Sequence, residues 1–202
     1  MDTLKYIGDK LKVNTSQKVV HLLDFSRNDL ASLFTELGFV KGVEVGVLLG
    51  TYSEELCKRN KNLRLVSVDP YLVFPEYKDL TTQKQFDENY EKTSERLARY
   101  NCLLLRKKSM EALAEIENES MDFVYIDGNH EFTSEANDIH EWSKKVRVGG
   151  IISGHDYRPY QLRSYSHTFE VVNAYTQAYS IYPLFIIGRN VDRIRSWFWV
   201  KI

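Results

Sequence analysis

Polar and apolar positions alternate with two different periods along this chain, and the switches between them mark its elements. DFSRNDLASLFTELG carries Leu30, Leu33, Phe34 and Leu37 at helical spacing, with Asp24 and Ser26 as candidate caps and Gly38 as a stop. KGVEVGV follows as a short β-branched run, YSEELCKRN as a helix, and LRLVSVDPY as a strand closed by Asp69-Pro70. Helical TQKQFDENYEKTSERLARY then leads to the strand CLLLRKKS, helical MEALAEIENES to MDFVYID, and helical SEANDIHEWSKKV to GGIISGHD. The last elements are a helix, SHTFEVVNAYTQAY, and two strands, PLFIIG and SWFWVKI.

Strands that alternate with helices predict a parallel, doubly wound sheet with helices on both faces. Only RNVDRIR separates the last two strands, too short for a helical crossover, so these two pair antiparallel. The expectation is an α/β fold with a mostly parallel, seven-stranded sheet and a C-terminal antiparallel hairpin over residues 40–202. Residues 1–39 are read as a leader and a helix that packs on that domain; for residues 1–23 a helical cap, an oligomerisation arm and a flexible leader all stay open, and so does a homo-oligomer.

In such sheets ligands bind beyond the carboxyl ends of the strands. The first strand of the domain runs through Glu44 into a turn with Gly46 and Gly50, followed by Thr51, Tyr52 and Ser53 at the start of a helix. Glycines there let a ligand approach the backbone, and Thr51 or Ser53 can cap the helix, although a plain strand-to-helix turn accounts for them too. The G-x-G-x-x-G pattern fails, because its later glycines fall on Leu48 and Thr51, and no Gly-Lys-[Ser/Thr] follows for a phosphate loop. Asp69, closing the second strand, can accept both hydroxyls of a ribose or simply start a turn. Ser109 and Met110 open a helix after the third strand, where Ser109 is either a cap or an adenine contact. Together these positions suggest an adenosine-containing ligand.

Charge narrows the partners. The 27 Lys and Arg nearly balance 28 Asp and Glu, a net charge of −1 that gives no global attraction to nucleic acid or an anionic membrane. Lys58, Arg59, Lys61 and Arg64 form a basic cluster near a helix end, where cations favour the dipole. Cys57 and Cys102 read as free buried thiols of a reducing compartment. The start, MDTLKYIGDKLKVNTSQKVV, has no signal-peptide core, and no apolar run has the length of a membrane span, so a cytoplasmic protein is expected.

E-x-G-x-x-x-G after the first strand, an acid closing the second, Ser-Met-Glu after the third, an aspartate closing the fourth and the terminal hairpin together resemble class I S-adenosylmethionine-dependent methyltransferases, whose sheet is Rossmann-like. FVYIDGNHEF and VGGIISGHDY resemble more narrowly the metal-dependent sugar O-methyltransferases of macrolide biosynthesis. Leu48 departs from the family, many of whose members have a glycine there. The resemblance implies S-adenosylmethionine as cofactor, contacted from Glu44, Gly46, Gly50, Tyr52, Ser53, Asp69, Ser109, Met110 and Asp127.

Asp127 and the pair His155-Asp156 end neighbouring strands and should reach one rim. Carboxylates suit a hard divalent ion, Mg²⁺ or Mn²⁺. The resemblance implies Asp127 and Asp156 as its ligands, with the residue before Asp156 contributing; here that is His155, which shifts preference toward a transition metal or else lines the pocket. Methyl transfer to oxygen needs donor and acceptor in line and a route for the hydroxyl proton, for which His130 is the candidate base. A vicinal diol would chelate the ion, so the expected acceptor is a small polyhydroxylated molecule of sugar or catechol type. The aromatic-rich stretches 70–90 and 157–166 are expected to form a lid, with Tyr71, Tyr77, Tyr157 or Tyr160 against the acceptor and Arg158 or Arg163 near an anionic substituent. Two alternatives stay open: a metal-free O- or N-methyltransferase, and a non-catalytic nucleoside-binding relative.

Overall fold

The structure is a computed structural model that describes residues 2–73, 82–159 and 166–202. It contains α1 (Thr3–Leu11), β1 (Val19–Leu22), α2 (Arg27–Glu36), β2 (Lys41–Val45), α3 (Thr51–Arg59), β3 (Arg64–Val68), α4 (Gln83–Leu97), β4 (Cys102–Leu105), α5 (Ser109–Ala112), β5 (Met121–Ile126), α6 (Phe132–Lys145), β6 (Val146–Gly154), α7 (Thr168–Ala178), β7 (Leu184–Ile187) and β8 (Ser196–Val200). The strands form one sheet in the order β1-β7-β8-β6-β5-β2-β3-β4. Every neighbouring pair is parallel except those of β8, which runs antiparallel to both β6 and β7.

The doubly wound fold and its antiparallel hairpin are thus as expected, with one strand more. Val19–Leu22, in the segment read as a leader, pairs parallel with β7 and makes the sheet eight-stranded. Helix α1 places Ile7 in the core, fully buried. Helix α2 starts at the expected cap: the Ser26 hydroxyl accepts the Asp29 N–H while Asp29 receives the Ser26 N–H, a reciprocal capping box. The predicted helix over MEALAEIENES is only the single turn of α5 and a short 3₁₀ turn, because Ile116 turns extended and is buried against the sheet.

Side-chain alternation in the central strands separates two cores. Phe123 and Tyr125 face α1, α2 and α3, whereas Val124 and Ile126 face α6 and α7, with Trp142 and Val172 fully buried there. Cys57 and Cys102 are free thiols packed at the first of these cores. Among the described residues no helix is long and apolar enough to cross a membrane.

The register decides what meets at the rim. Val45 pairs with Val68 on one side and Ile126 on the other, and Ile126 pairs with Gly154. The next residue on each strand is therefore Gly46, Asp69, Asp127 and His155, all on one edge. Their backbone amides extend the ladder by one step: Gly46 to Val68 O at 2.8 Å, Asp127 to Val45 O at 2.7 Å and His155 to Ile126 O at 2.9 Å.

Behind this edge Glu54 ties α3 to α4. Its carboxylate meets Arg99, Arg96 at 2.9 Å and Lys58 at 3.2 Å, and the hydrogen bond from Arg99, reinforced by Lys58 and Arg96 against burial, lowers its pKa to about 2. A depressed carboxylate pKa stabilises the fold above the unfolded value of 4.5, and that contribution is lost as pH falls from there through about 2. Glu54→Gln is expected to cost about 1 kcal/mol at neutral pH, the scale of partly exposed ion pairs. Urea unfolding at a series of pH values checks this, with the gap between variant and wild type closing below pH 4.5.

Candidate functional site

A cavity of about 680 Å³ opens along the rim, from Asp69, Ser109 and Met110 over β3 and β4, past the Gly46 turn, to Asp127, Asn129 and His130 over β5. That volume lies within the range of about 300–1,000 Å³ typical of small-molecule sites.

The turn after β2 is held from outside. Asp69 Oδ2 accepts both the Val47 and Leu48 amides at 2.9 Å, and Asp69 Oδ1 accepts the Tyr71 amide at 2.8 Å. The Leu48 carbonyl receives the Thr93 hydroxyl from α4 at 2.8 Å. These bonds hold Leu48 in the left-handed region at φ 49, so a leucine occupies a conformation that glycine adopts more cheaply. Gly46, at φ 88, is required for a reason other than ligand approach: a Cβ there would overlap the Asp127 carbonyl of the neighbouring strand. At Gly50, also left-handed, a Cβ would stand 2.8 Å from Thr93 Cγ2. Asp69 was expected to take both ribose hydroxyls. With three backbone amides on it, it keeps one open acceptor position, on Oδ1.

Several other expected contacts have structural partners. Glu44 and Ser53 are buried, 2% and 0% exposed, and bonded to each other, with Ser67 Oγ 2.9 Å from Ser53 Oγ. Ser53 therefore faces inward and pins α3 to β2 and β3 instead of capping the helix, whose N-cap is Gly50. Burial raises the Glu44 pKa well above its ordinary value despite the Ser53 hydrogen bond, which favours the protonated acid in the cavity floor. Tyr52 packs its ring 4.3 Å from that of Tyr125 and donates its hydroxyl to the Arg27 carbonyl at 2.9 Å. Ser109 donates to Asp138 and accepts from Trp142 Nε1 at 2.7 Å, so its hydroxyl links α5 to α6; Met110 beside it is 40% exposed. Asp138 is itself buried, which pushes its pKa to about 7 against the Ser109 hydrogen bond.

Beyond β5 and β6 the charged groups converge. His130 Nε2 lies 2.7 Å from Asp156 Oδ2 and 3.5 Å from Asp127 Oδ1, while its Nδ1 lies 3.3 Å from Glu135 Oε2 and 3.4 Å from Thr168 Oγ1. One ligand-type atom from each of Asp127, His130 and Asp156 falls within 4.8 Å of the others. Burial disfavours a charged His130, yet the hydrogen bonds to Asp156 and Glu135 outweigh it and raise its pKa well above the ordinary value. Asp156, at φ 53, is held below the carboxylate range: burial raises it, but the bonds from His130 and His155 prevail. His155, expected in the metal set, keeps Nδ1 3.6 Å from Asp127 Oδ1 and 3.7 Å from Asp156 Oδ2, outside the three-residue cluster. His130, expected as a free-standing base, has both ring nitrogens facing carboxylates. Glu135 is fully buried behind it and was not anticipated, since nothing in EFTSEANDIH distinguishes it from a first-turn helix acid.

The expected lid is different where it is described. Tyr71 is fully buried against Tyr90, and Tyr157, 4% exposed, bonds Asn173 and packs on Phe169, so both are core residues. Arg158 is exposed, with Nε 3.7 Å from Asp156 Oδ1. Tyr77, Tyr160 and Arg163 lie outside the described residues.

A family described as a methyltransferase domain matches residues 43–157, more than half of the chain and the whole of this rim. The chain belongs to this methyltransferase family. The methyltransferase is 25% identical over 158 residues to the uncharacterized protein R132 of Acanthamoeba polyphaga mimivirus, covering 78% of this chain and 67% of that protein. Its fold matches an O-methyltransferase from Bacillus cereus solved in complex with SAH, with a TM-score of 0.62, 14% identity, and coverage of 100% of this chain and 91% of that one. It also matches the N-methyltransferase NodS from Bradyrhizobium japonicum WM9, with a TM-score of 0.57, 16% identity, and coverage of 87% and 94%.

The methyltransferase's turn gives a direct test of its clamp. Asp69→Ala is expected to lose about 2 kcal/mol of stability, the worth of hydrogen bonds to a charged acceptor. Leu48→Gly should stay within about 1 kcal/mol of wild type, because relief of the left-handed backbone offsets the entropy of glycine. Denaturant unfolding of the two variants measures both.

Proposed function

We propose that this protein transfers a methyl group from S-adenosylmethionine to a hydroxyl of a small polyhydroxylated acceptor, with a divalent metal held by Asp127, His130 and Asp156. The observation that carries the metal is the convergence of those three side chains with Glu135 behind the imidazole. The donor set fits a cation: two carboxylates and one imidazole point at a common centre, and the buried atoms Glu135 Oε1 and Asp156 Oδ1 make no hydrogen bond among the described residues. The mix of nitrogen and oxygen donors suits Mn²⁺ or a similar transition ion at least as well as Mg²⁺. The same atoms accommodate proton or metal, since Nε2 faces the centre while Nδ1–H points to Glu135, an arrangement that fixes the tautomer of metal-bound histidines.

The cavity suits the methyl donor. Its nucleoside end would lie over β3 and β4, where Val68, Leu72 and Met110 offer apolar walls and Asp69 Oδ1 has room for one ribose hydroxyl. Its reactive end would then reach Asp127 and His130, next to the acceptor. A bound divalent ion would polarise the acceptor hydroxyl and lower its pKa. Asp127 and Asp156 keep that region negative, which favours loss of the hydroxyl proton to solvent only when a cation balances the alkoxide. With its Nε2 lone pair directed to the ion and Nδ1–H to Glu135, His130 would hold the metal and not act as a base. The rigid turn fixed by Asp69 and Thr93 sets the donor's depth, so that the methyl carbon and the acceptor oxygen align.

Oxygen is favoured over nitrogen because hard carboxylate-bound ions prefer oxygen ligands. The test is methyl transfer from S-adenosylmethionine to a panel of diols, catechols and amines with Mn²⁺ or with a chelator. Transfer to diols that needs the metal, and that Asp156→Ala reduces by about 100-fold or more, supports the reading. Transfer that survives both chelator and substitution assigns the site to metal-free chemistry. Glu135→Gln should weaken Mn²⁺ binding by about 10- to 100-fold in a calorimetric titration while leaving the fold intact by circular dichroism.

A further inference from the structure

Among the described residues Arg27 is the one before β2 that lines the cavity, and it lies outside the region that matches the methyltransferase family. Its backbone is clamped on both sides: the Arg27 amide donates to Asp192 Oδ2 at 2.9 Å, and its carbonyl receives the Tyr52 hydroxyl at 2.9 Å. Its guanidinium is half-buried and lies over the Tyr52 ring, 5.3 Å from the centroid. Partial burial works against its charged form, which the Tyr125 hydroxyl and the field of Asp127 favour. No ion pair of Arg27 with a carboxylate occurs among the described residues, so a partly desolvated cation faces the cavity with its N–H groups open to a ligand carboxylate.

The other basic groups on the cavity wall serve different regions. Lys108 stands at the β4 end beside Ser109, and His130 is enclosed by Asp127, Asp156 and Glu135. The end of the cavity that would hold the amino-acid part of the donor carries Asp127 and Glu131, which repel a carboxylate. A donor whose tail bears one carboxylate and one ammonium needs a cation at one point there and can use the acids for the other. A planar guanidinium braced on an aromatic ring presents paired N–H groups that match a carboxylate.

We infer that Arg27 receives the methionyl carboxylate of the donor, so that a residue of the N-terminal segment selects the amino-acid tail. This rests on the S-adenosylmethionine reading given above. The binding of S-adenosylhomocysteine and of its decarboxylated analogue, S-adenosyl-3-thiopropylamine, to wild type, Arg27→Met and Arg27→Lys can be compared by titration calorimetry. Arg27→Met should weaken S-adenosylhomocysteine by about 10- to 100-fold, as expected for a lost charge-assisted pair, and leave the analogue within about threefold. Arg27→Lys should recover part of the loss. An equal loss for both ligands makes Arg27 a structural residue and overturns the inference. Unchanged S-adenosylhomocysteine affinity, together with a raised KM for acceptors bearing an anionic group, overturns it too by assigning the cation to the acceptor. If wild type binds neither ligand, the donor assignment fails before Arg27 is tested.

Discussion

Two carboxylates that leave neighbouring parallel strands at the same level repel each other unless a cation stands between them. The pairing of Ile126 with Gly154 forces this on Asp127 and on the His155-Asp156 turn, because each follows the last paired residue of its strand. At 4 Å two unit charges interact by about 4 kcal/mol at an effective dielectric of 20. His130 relieves that repulsion from the loop that follows Asp127, with Nε2 within 3.5 Å of both acids, and Glu135 compensates the ring from behind. The loop, the turn after β6 and the first turn of α6 are consequently tied to one electrostatic centre. In our reading that centre is a metal site in which a proton on His130 stands in for the ion.

The other half of the rim answers to a second constraint, the strained turn at Leu48. One carboxylate, Asp69, organises three amides around it, and Thr93 reaches in from a helix that Glu54 holds against α3. The floor beneath is a buried hydrogen-bonded network of Glu44, Ser53 and Ser67. Acidic residues thus do three different jobs along one sheet edge: Glu44 braces the floor through Ser53, Asp69 shapes the loop by accepting backbone amides, and Asp156 with Asp127 gathers the His130 ring. Environment, not residue type, divides the roles.

Much of this was legible in the sequence because alternation of helices and strands is a strong signal, and because a parallel sheet turns strand ends into a line of neighbours. Asp127, Asp156 and the Gly46 turn were readable on that ground. The strand Val19–Leu22 was not: four residues after a polar stretch carry no period long enough to read. Tyr71 and Tyr157 sit next to cavity-forming residues but fold inward, and aromatic content alone does not separate a lid from a core. The roles of Asp69 and Ser109 changed because hydrogen-bond partners decide what a polar side chain is free to do, and those partners come from Val47, Leu48, Asp138 and Trp142 on other elements. Arg27 and Glu135 reach the site only through tertiary packing, without a motif of their own.

In our reading Asp127, His130 and Asp156 form one cation site with the His130 imidazole as a direct ligand. Pulsed electron paramagnetic resonance of the protein loaded with Mn²⁺ tests it most directly. A nitrogen coupling from a coordinated imidazole is expected, disappearing in His130→Gln and persisting in His155→Gln. Bound Mn²⁺ without nitrogen coupling, or a coupling removed by His155→Gln instead, would contradict it.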